Sequence, residues 1–522
     1  MNPGAKQTVQ QRSKQQRHAK NSLTERFLLF SETPAILTGL VLFLTLALLL
    51  IPLGLRFFSS EPLLVGTSSA KTLTILAQAD FSSLIITTAT PQSSQGIGVF
   101  FRVLKWIPLS GAGKLVVPLL FSLACAFIFL KVLLKHFSGR FSLLIMTLLV
   151  STPLFLAIHL ELSELFFTCF LFVCALFFMQ ERKEGWALLL LALLIIESPF
   201  VGVAASALLV LFSQFLQGTD ITLKKKHISF FFPGLVLALL AGVSMLFSPA
   251  TPYAWHWSVA PALSDLGNAH GFSIPFILLA IIGAIYLWTT NKGNIVLASL
   301  YALSILSFFW LPLELLALPF LAILGGYGTR VLIKRNWSYS FMKQFTLLLI
   351  FCALIFSTTT FFSVILESPP SHELVNALSA MRGALPERTL LLARPEIGEF
   401  ISYYAGYPVV VDADAIARGT ADWQIEKRAL FVRNAAAAKR LFDETGTSWF
   451  VLDPSLIDEI HEEKGGVLFL IEATPDFRQV YRSGPIQVYL ADFSLQDRAQ
   501  NGTVPSTLHS NQNNAQNSAL GK

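Results

Sequence analysis

The sequence predicts a polytopic α-helical membrane protein with about eleven transmembrane helices and a C-terminal extracytoplasmic α/β domain. The first reason is composition, because 54% of the 522 residues are hydrophobic and 13% are charged, whereas an ordinary soluble domain is about 25% charged. The second is that apolar runs of 18 or more residues recur before position 366, and such a run can span a bilayer as a helix. These features exclude a water-soluble enzyme and a disordered chain.

The apolar runs define a predicted transmembrane domain at 31–365. The basic stretch at 1–30 is too long and polar for a cleavable signal, so we predict a disordered cytoplasmic tail there. A long first outer loop, 56–113, follows the first span. The predicted spans lie near 34–55, 114–135, 141–159, 161–179, 185–197, 199–216, 228–248, 272–289, 294–310, 312–329 and 343–365.

The basic residues set the predicted orientation. With the N-terminus in the cytoplasm, nineteen Lys and Arg residues fall in inner segments and five in outer loops of the membrane domain. Cytoplasmic loops carry the excess of positive charge, so we predict a multi-pass protein of the plasma (inner) membrane with its C-terminal domain outside. Because the basic residues lie in short loops between spans, the net charge of +6 does not indicate a nucleic-acid partner.

The chain after Pro369-Pro370 has the pattern of a soluble α/β domain, which we assign to 366–495. Alternating strands and helices favour a mainly parallel sheet. An Asn-, Gln- and Ser-rich stretch at 496–522 is predicted to be a disordered tail. The predicted strands are 389–393, 408–411, 449–452, 467–471 and 486–490, and the predicted helices are 371–382, 397–404, 435–445 and 454–463.

Carboxylates gather at the predicted outer boundary of the membrane. An acid at membrane depth is costly unless it faces a cavity or a partner, so a cluster on one side suggests a polar cavity that opens outward. Its members are Glu61, Asp80, Glu161, Glu164, Glu197, Asp265, Glu314 and Glu367.

The first outer loop contains an acid and a basic segment. Asp80 is interpreted either as a general base that acts on an acceptor or as a solvated loop acid. Residues 99–106 predict a short amphipathic helix on the membrane surface, with Arg102 and Lys105 on its polar edge. Such a helix suits a phosphate-bearing lipid and equally suits ordinary anionic headgroups.

The turn between the third and fourth predicted spans contains His159, Glu161 and Glu164. The two glutamates are three residues apart and would share one face of a helix. His159 would complete a site for a divalent cation with them, although structural hydrogen bonding is favoured because the spacing is not a zinc signature. Glu197 ends an apolar run and is either a cavity-lining carboxylate or an acid at a helix end.

Two more outer segments contain candidate substrate contacts. His256 lies among aromatic residues in the loop 249–271, which either stack on sugar rings or form an interfacial belt. Glu314 follows another outer turn. All four cysteines fall inside predicted spans, and we interpret them as small core residues rather than metal ligands or disulfides; they are Cys125, Cys169, Cys174 and Cys352.

This layout resembles the GT-C superfamily of polytopic glycosyltransferases. Asp80 stands where that family has its first-loop acid, and Glu161 where a second acidic position is common. Residues 114–212 run span for span like the protein-mannosyltransferase and aminoarabinose-transferase branch, and 391–412 are faintly similar to oligosaccharyltransferase catalytic subunits. The chain departs from the family in having Pro91-Gln92-Ser93-Ser94-Gln95 in place of a His-Pro-Pro-type stretch and in lacking a WWDYG motif.

The resemblance implies transfer of a sugar from a polyprenyl-phosphate-linked donor to a lipid, glycan or protein acceptor on the outer face of the membrane. Asp80 and Glu161 would be catalytic, and a divalent cation is left open as a cofactor. The implied substrate-binding residues are Arg102, Lys105, His159, Glu164, Glu197, His256 and Glu314. Two alternatives remain, a non-catalytic assembly protein derived from the same fold and a transporter of a lipid-linked intermediate.

Overall fold

The computed structural model describes residues 33–78, 116–197, 199–217, 262–266, 271–291, 294–386, 389–411, 423–462 and 466–493. The chain divides into two compact units, Met1–Ser371 and His372–Lys522. The twelve helices described in the first unit are α1 (Pro34–Phe58), α2 (Gly66–Gln78), α3 (Val116–His136), α4 (Gly139–Val150), α5 (Pro153–Leu160), α6 (Glu164–Gln180), α7 (Glu184–Glu197), α8 (Pro199–Gln217), α9 (Ile274–Thr290), α10 (Ile295–Ser307), α11 (Leu311–Lys334) and α12 (Ser340–Glu367).

The first unit is that of a helical membrane protein. Within the described residues, five helices are long and apolar enough to cross a bilayer, and the bent pair α4 and α5 makes a sixth if it forms one span. Helices α6, α7, α9 and α10 are apolar but shorter. The predicted span 228–248 lies outside the described residues, so the count of eleven stays a prediction.

The third predicted span, 141–159, is not one straight helix. It consists of α4 and α5, which are bent by 61°. Pro153 is the first residue of α5 and disfavours a helical conformation at Thr152, which is extended with φ −71° and ψ 128°. The Thr152 hydroxyl donates to the carbonyl of Leu148 at 2.7 Å, so the break leaves a carbonyl of α4 satisfied.

The second unit contains a four-stranded sheet in the order β1-β2-β4-β3. Strands β1 and β2 are parallel, and the other two pairs are antiparallel. Its elements are α13 (His372–Met381), β1 (Leu391–Leu392), α14 (Pro395–Phe400), α15 (Trp423–Phe431), α16 (Ala435–Thr445), β2 (Trp449–Leu452), α17 (Pro454–Glu462), α18 (Gly466–Ala473), β3 (Phe477–Ser483) and β4 (Ile486–Ala491).

The prediction of a mainly parallel sheet is therefore wrong, and so is the predicted strand at 467–471. That run belongs to helix α18, because Val467 and Leu470, three residues apart, face the core together. A short apolar run does not distinguish a buried strand from a buried helix. The polar, largely exposed strand β3 carries no alternating apolar pattern, so the sequence does not reveal it.

One ion pair in the second unit is expected to make its stability depend on pH. The buried carboxylate of Asp453, at the start of α17, lies 3.7 Å from the guanidinium of Arg394. Burial raises the pKa of Asp453 above its ordinary value, while Arg394 and nearby backbone N–H groups oppose the rise. A raised pKa means that the fold prefers the protonated acid, so stability decreases as the pH rises from the unfolded pKa to the folded pKa.

We predict that Arg394→Met destabilises the second unit at pH 7 by about 1–3 kcal/mol, because a buried carboxylate loses its partner. The loss should shrink near pH 4, because protonation of Asp453 removes the charge that Arg394 balances. Hydrogen exchange over β2 and α17 in the full chain, corrected for the intrinsic exchange rate, measures both values. Arg478→Met, at an exposed position of β3, is the control, and an equal loss at both pH values would contradict the assignment.

Candidate functional site

The structure describes part of the predicted site. Glu161, His159 and Glu314 are described with their side chains, whereas Glu164 begins α6 and Glu197 ends α7 as backbone positions. The remaining predicted site residues lie outside the described residues; they are Asp80, Arg102, Lys105 and His256.

Glu161 is the first residue beyond α5, and its side chain is buried with 6% of the residue exposed. Its backbone is extended, with φ −92° and ψ 139°, so the helix ends at Leu160. The Glu161 N–H still donates to the carbonyl of Ala157 at 3.1 Å, and its own carbonyl accepts from the N–H of Ser163 at 3.0 Å. The turn is therefore ordered, and it holds the carboxylate in the interior.

The carboxylate of Glu161 lies against the start of helix α2. A Cβ atom added to Gly66 would be 2.8 Å from both Cδ and Oε1 of Glu161, and Gly66 has φ +75°. Only glycine meets both demands without strain. The amino end of a helix carries partial positive charge and unpaired N–H groups, so this position favours an anion.

Hydrogen bonds fix the same contact. The Leu162 N–H donates to Ser69 Oγ at 2.8 Å, and Ser69 Oγ donates to the carbonyl of Val65 at 2.6 Å. The Gly66 N–H donates to the carbonyl of Pro369 at 3.3 Å. We call this set the Glu161 junction; it comprises Gly66, Ser69, Glu161, Leu162 and Pro369. It joins the start of the first outer loop to the turn after α5 and to the chain beyond α12.

A buried arginine, which the sequence pattern does not mark as functional, supports the junction. Arg56 is 0% exposed. Its Nε donates to the Pro62 carbonyl at 2.7 Å, and its Nη1 and Nη2 atoms donate to carbonyls on the far side of the guanidinium. Nη1 donates to the carbonyls of Ile365 at 2.7 Å and Ser368 at 2.8 Å, and Nη2 donates to the carbonyl of Pro370 at 3.0 Å. The available signal was a single arginine at the end of an otherwise apolar span.

Glu61 is a second acid beside this arginine. Its N–H donates to the Arg56 carbonyl at 2.8 Å, and the next residue, Pro62, accepts from the guanidinium. Glu61 is one of the carboxylates at the predicted outer boundary of the membrane. Its position five residues before Gly66 makes it a candidate for the same site.

The other described acids have separate environments. Glu314 is buried in the first turn of α11, where the helix dipole favours a carboxylate. Asp265 is structural, since its Oδ2 accepts from the Ile274 N–H at 2.7 Å and its Oδ1 accepts from the Ser357 hydroxyl. It thereby caps α9 and ties it to α12.

His159 does not face solvent, because it is 0% exposed. Its Nδ1 lies 2.8 Å from the Phe155 carbonyl, and its ring packs on that of Phe155 with centroids 4.3 Å apart. It lies instead beside two thiols: ligand atoms of His159, Cys125 and Cys169 are all within 4.8 Å of one another. Among the side chains that the structure describes, no other group of three or more His, Cys, Asp and Glu residues has such spacing.

Three of the four cysteines lie in the interior of the first unit, where core residues are expected. Cys125, Cys169 and Cys174 are buried, and none forms a disulfide. Cys352 is exposed on α12. Many of the large apolar side chains of this helix are exposed as well. A sequence pattern does not distinguish a core position from a lipid-facing one when both faces of a span are apolar.

No protein-family model and no curated protein matches the chain. Solved structures do match. The chain is similar to the apo oligosaccharyltransferase of Archaeoglobus fulgidus, with TM-score 0.56, 11% identity and coverage of 80% of this chain and 69% of that one. For the complex of the same protein with Zn and sulfate, the values are 0.53, 11%, 88% and 73%.

The chain is also similar to ArnT from Cupriavidus metallidurans bound to undecaprenyl phosphate. That match has TM-score 0.50 and 15% identity, and it covers 88% of this chain and 99% of that one. At these identities the likeness is one of fold. The chain therefore shares the fold of these two proteins, in agreement with the resemblance in layout to the GT-C superfamily.

Proposed function

We propose that this chain is a membrane glycosyltransferase that moves a sugar from a polyprenyl-phosphate-linked donor to a lipid, glycan or protein acceptor. The observation that carries the proposal is the Glu161 junction within a GT-C fold: a buried carboxylate held against the start of the first outer loop. ArnT, which shares this fold, is bound to undecaprenyl phosphate in its structure. We place the reaction on the outer face of the plasma membrane, with the N-terminus in the cytoplasm.

In the proposed reaction, the acceptor hydroxyl attacks the anomeric carbon of the sugar. The bond from that carbon to the phosphate oxygen breaks, and polyprenyl phosphate leaves with the bonding electron pair. The acceptor proton passes to a carboxylate that acts as general base. We assign this step to Asp80, whereas Glu61, five residues before Gly66, is assigned with Glu161 to contact with the substrates.

Glu161 is assigned to holding the sugar or the acceptor. Helix α2 has 13 residues and is therefore about 20 Å long at ~1.5 Å per residue. Glu161 packs against its first residue, whereas Asp80 comes two residues after its last. The two acids are thus assigned to different groups of the substrates rather than to one shared proton.

The leaving phosphate needs positive charge, because negative charge accumulates there as the bond breaks. We assign this role to Arg102 and Lys105. Glu164, Glu197, His256 and Glu314 remain proposed contacts to the sugar or acceptor. A divalent cation would add charge at the phosphate, and the oligosaccharyltransferase of the same fold has a structure in complex with Zn; for this chain, a cation at the carboxylates remains a proposal.

We predict that the purified full chain binds polyprenyl phosphate saturably and that Arg102→Ala/Lys105→Ala weakens binding about 10- to 100-fold. The two contacts together would then contribute about 1.4–2.8 kcal/mol to binding, since about 1.4 kcal/mol corresponds to a tenfold change in affinity. The matched control, Arg335→Ala/Lys343→Ala, removes the same charge from the predicted cytoplasmic segment where α11 ends and α12 begins. No saturable binding by the wild type, or equal affinity in both double variants, would contradict the proposed donor site.

A further inference from the structure

Three helices bring two thiols and an imidazole together inside the first unit. Cys125 lies in α3, His159 in α5 and Cys169 in α6. Each is at most 5% exposed, and the sulfur atoms of the two cysteines are 3.7 Å apart. One ligand atom from each residue lies within 4.8 Å of the other two. The proposed transfer reaction uses neither thiol.

The histidine supplies a second, independent observation. With Nδ1–H donating to the Phe155 carbonyl at 2.8 Å, the neutral ring keeps an unprotonated Nε2. That atom is buried and has no hydrogen-bond partner among the described residues. A buried polar atom without a partner costs about 1–3 kcal/mol. A metal-bound histidine commonly donates its other ring N–H to a backbone carbonyl, which is the arrangement at Phe155.

The spacing of the sulfurs also fits a metal. At a Zn–S distance of about 2.3 Å, tetrahedral geometry separates two ligand sulfurs by about 3.8 Å, close to the 3.7 Å between Cys125 and Cys169. A nitrogen ligand would stand about 3.5 Å from each sulfur. The imidazole nitrogen lies within 4.8 Å of each sulfur, so it has to move closer by at most about 1.3 Å to reach that distance. A small rotation of the side chain supplies this movement.

We propose that Cys125, His159 and Cys169 form a buried zinc site that links three helices. Two thiolates and a neutral imidazole around Zn²⁺ give a complex with no net charge, which a membrane interior tolerates far better than a bare ion or an isolated thiolate. Binding releases the two thiol protons. The three protein ligands leave the fourth tetrahedral position to water.

Such a site would fix the turn that carries Glu161. His159 precedes Glu161 by two residues, and the zinc would link α5 to α3 and α6. The site would act by holding the turn, and it contains none of the carboxylates assigned to sugar transfer. Its test is therefore independent of whether transfer is observed.

The test uses the reduced full chain, stripped of metal with a chelator and dialysed against Zn²⁺ or Co²⁺. We expect one zinc per chain, and a thiolate-to-cobalt charge-transfer band with Co²⁺, which carboxylate sites do not give. Cys125→Ser/Cys169→Ser should lose the band, and His159→Gln should weaken Co²⁺ binding tenfold or more. Cys352→Ser and Glu161→Gln should keep it.

Absence of the thiolate band in the wild type would overturn the proposal, and this result does not depend on whether any variant folds. A band that persists in Cys125→Ser/Cys169→Ser would overturn it as well. Zinc binding without the cobalt band would assign the ion to carboxylates and reject the cysteine site.

Discussion

Replacing Gly328 with alanine is expected to disrupt the packing of α9 against α11. A Cβ atom at Gly328 would lie 2.0 Å from the carbonyl oxygen of Leu279, far inside van der Waals contact. The obstacle is helix backbone rather than a flexible side chain, so the two helices must move apart. Gly283 shows the reciprocal contact, since its added Cβ would be 1.9 Å from the Leu324 carbonyl oxygen.

The expected cost is about 3 kcal/mol or more, at the upper end of overpacking effects. Close approach through small residues is a principal source of helix association in membranes, where no hydrophobic effect drives the helices together. Separating α9 from α11 would forfeit the dispersion contacts along their interface. Thermal unfolding of the full chain in detergent should show a clear fall in the midpoint for Gly328→Ala.

Gly54→Ala is the matched control, because nothing lies within 4 Å of an added Cβ at that position of α1. Alanine has the higher helix propensity by about 1 kcal/mol, so this variant should be as stable as the wild type or more so. If Gly328→Ala behaved like Gly54→Ala, the close contact between α9 and α11 would be refuted.

Replacing Arg56 with lysine is expected to loosen the Glu161 junction even though the charge is kept. The guanidinium donates to four carbonyls on two sides. A lysine ammonium is a single nitrogen that cannot reproduce this fork, so several carbonyls would lose their donor. Because one unsatisfied buried group costs about 1–3 kcal/mol, we expect a loss of about 3 kcal/mol or more.

The effect should concentrate at the junction. Pro369 accepts from the Gly66 N–H, and its neighbours Ser368 and Pro370 accept from Arg56. Hydrogen exchange in the full chain should therefore rise most around 62–70. Arg335→Lys, at an exposed arginine, is the control, and unchanged exchange around 62–70 in Arg56→Lys would contradict the supporting role.

The sequence predicted the membrane helices well because each is a long apolar run. Every predicted span whose residues are described coincides with a helix or a helix pair. The bend at Thr152 depends on Pro153 together with tertiary contacts. An apolar sequence run does not reveal such contacts, so the bend was not predicted. In the second unit, a five-residue apolar stretch fits a strand or a helix equally, which explains the error at α18.

The site was less predictable. Glu161 stood out because a carboxylate next to an apolar run is costly, and the structure describes it as buried. Arg56 was missed because an arginine at a span end usually reaches the interface rather than four buried carbonyls. The cysteine–histidine cluster draws residues from positions 125, 159 and 169, and only the packing of three helices brings them together.

The most direct test of the proposed function is transfer of labelled sugar in proteoliposomes from a panel of polyprenyl-phosphate-linked sugars to the lipids and proteins of the source membrane. We predict transfer by the wild type and a fall in kcat/KM of about 100-fold for Glu161→Gln, because a substrate that is no longer held in position reacts more slowly. Glu184→Gln, at an exposed position of α7, should keep the wild-type rate. No transfer from any donor, or a wild-type rate for Glu161→Gln, would contradict the account.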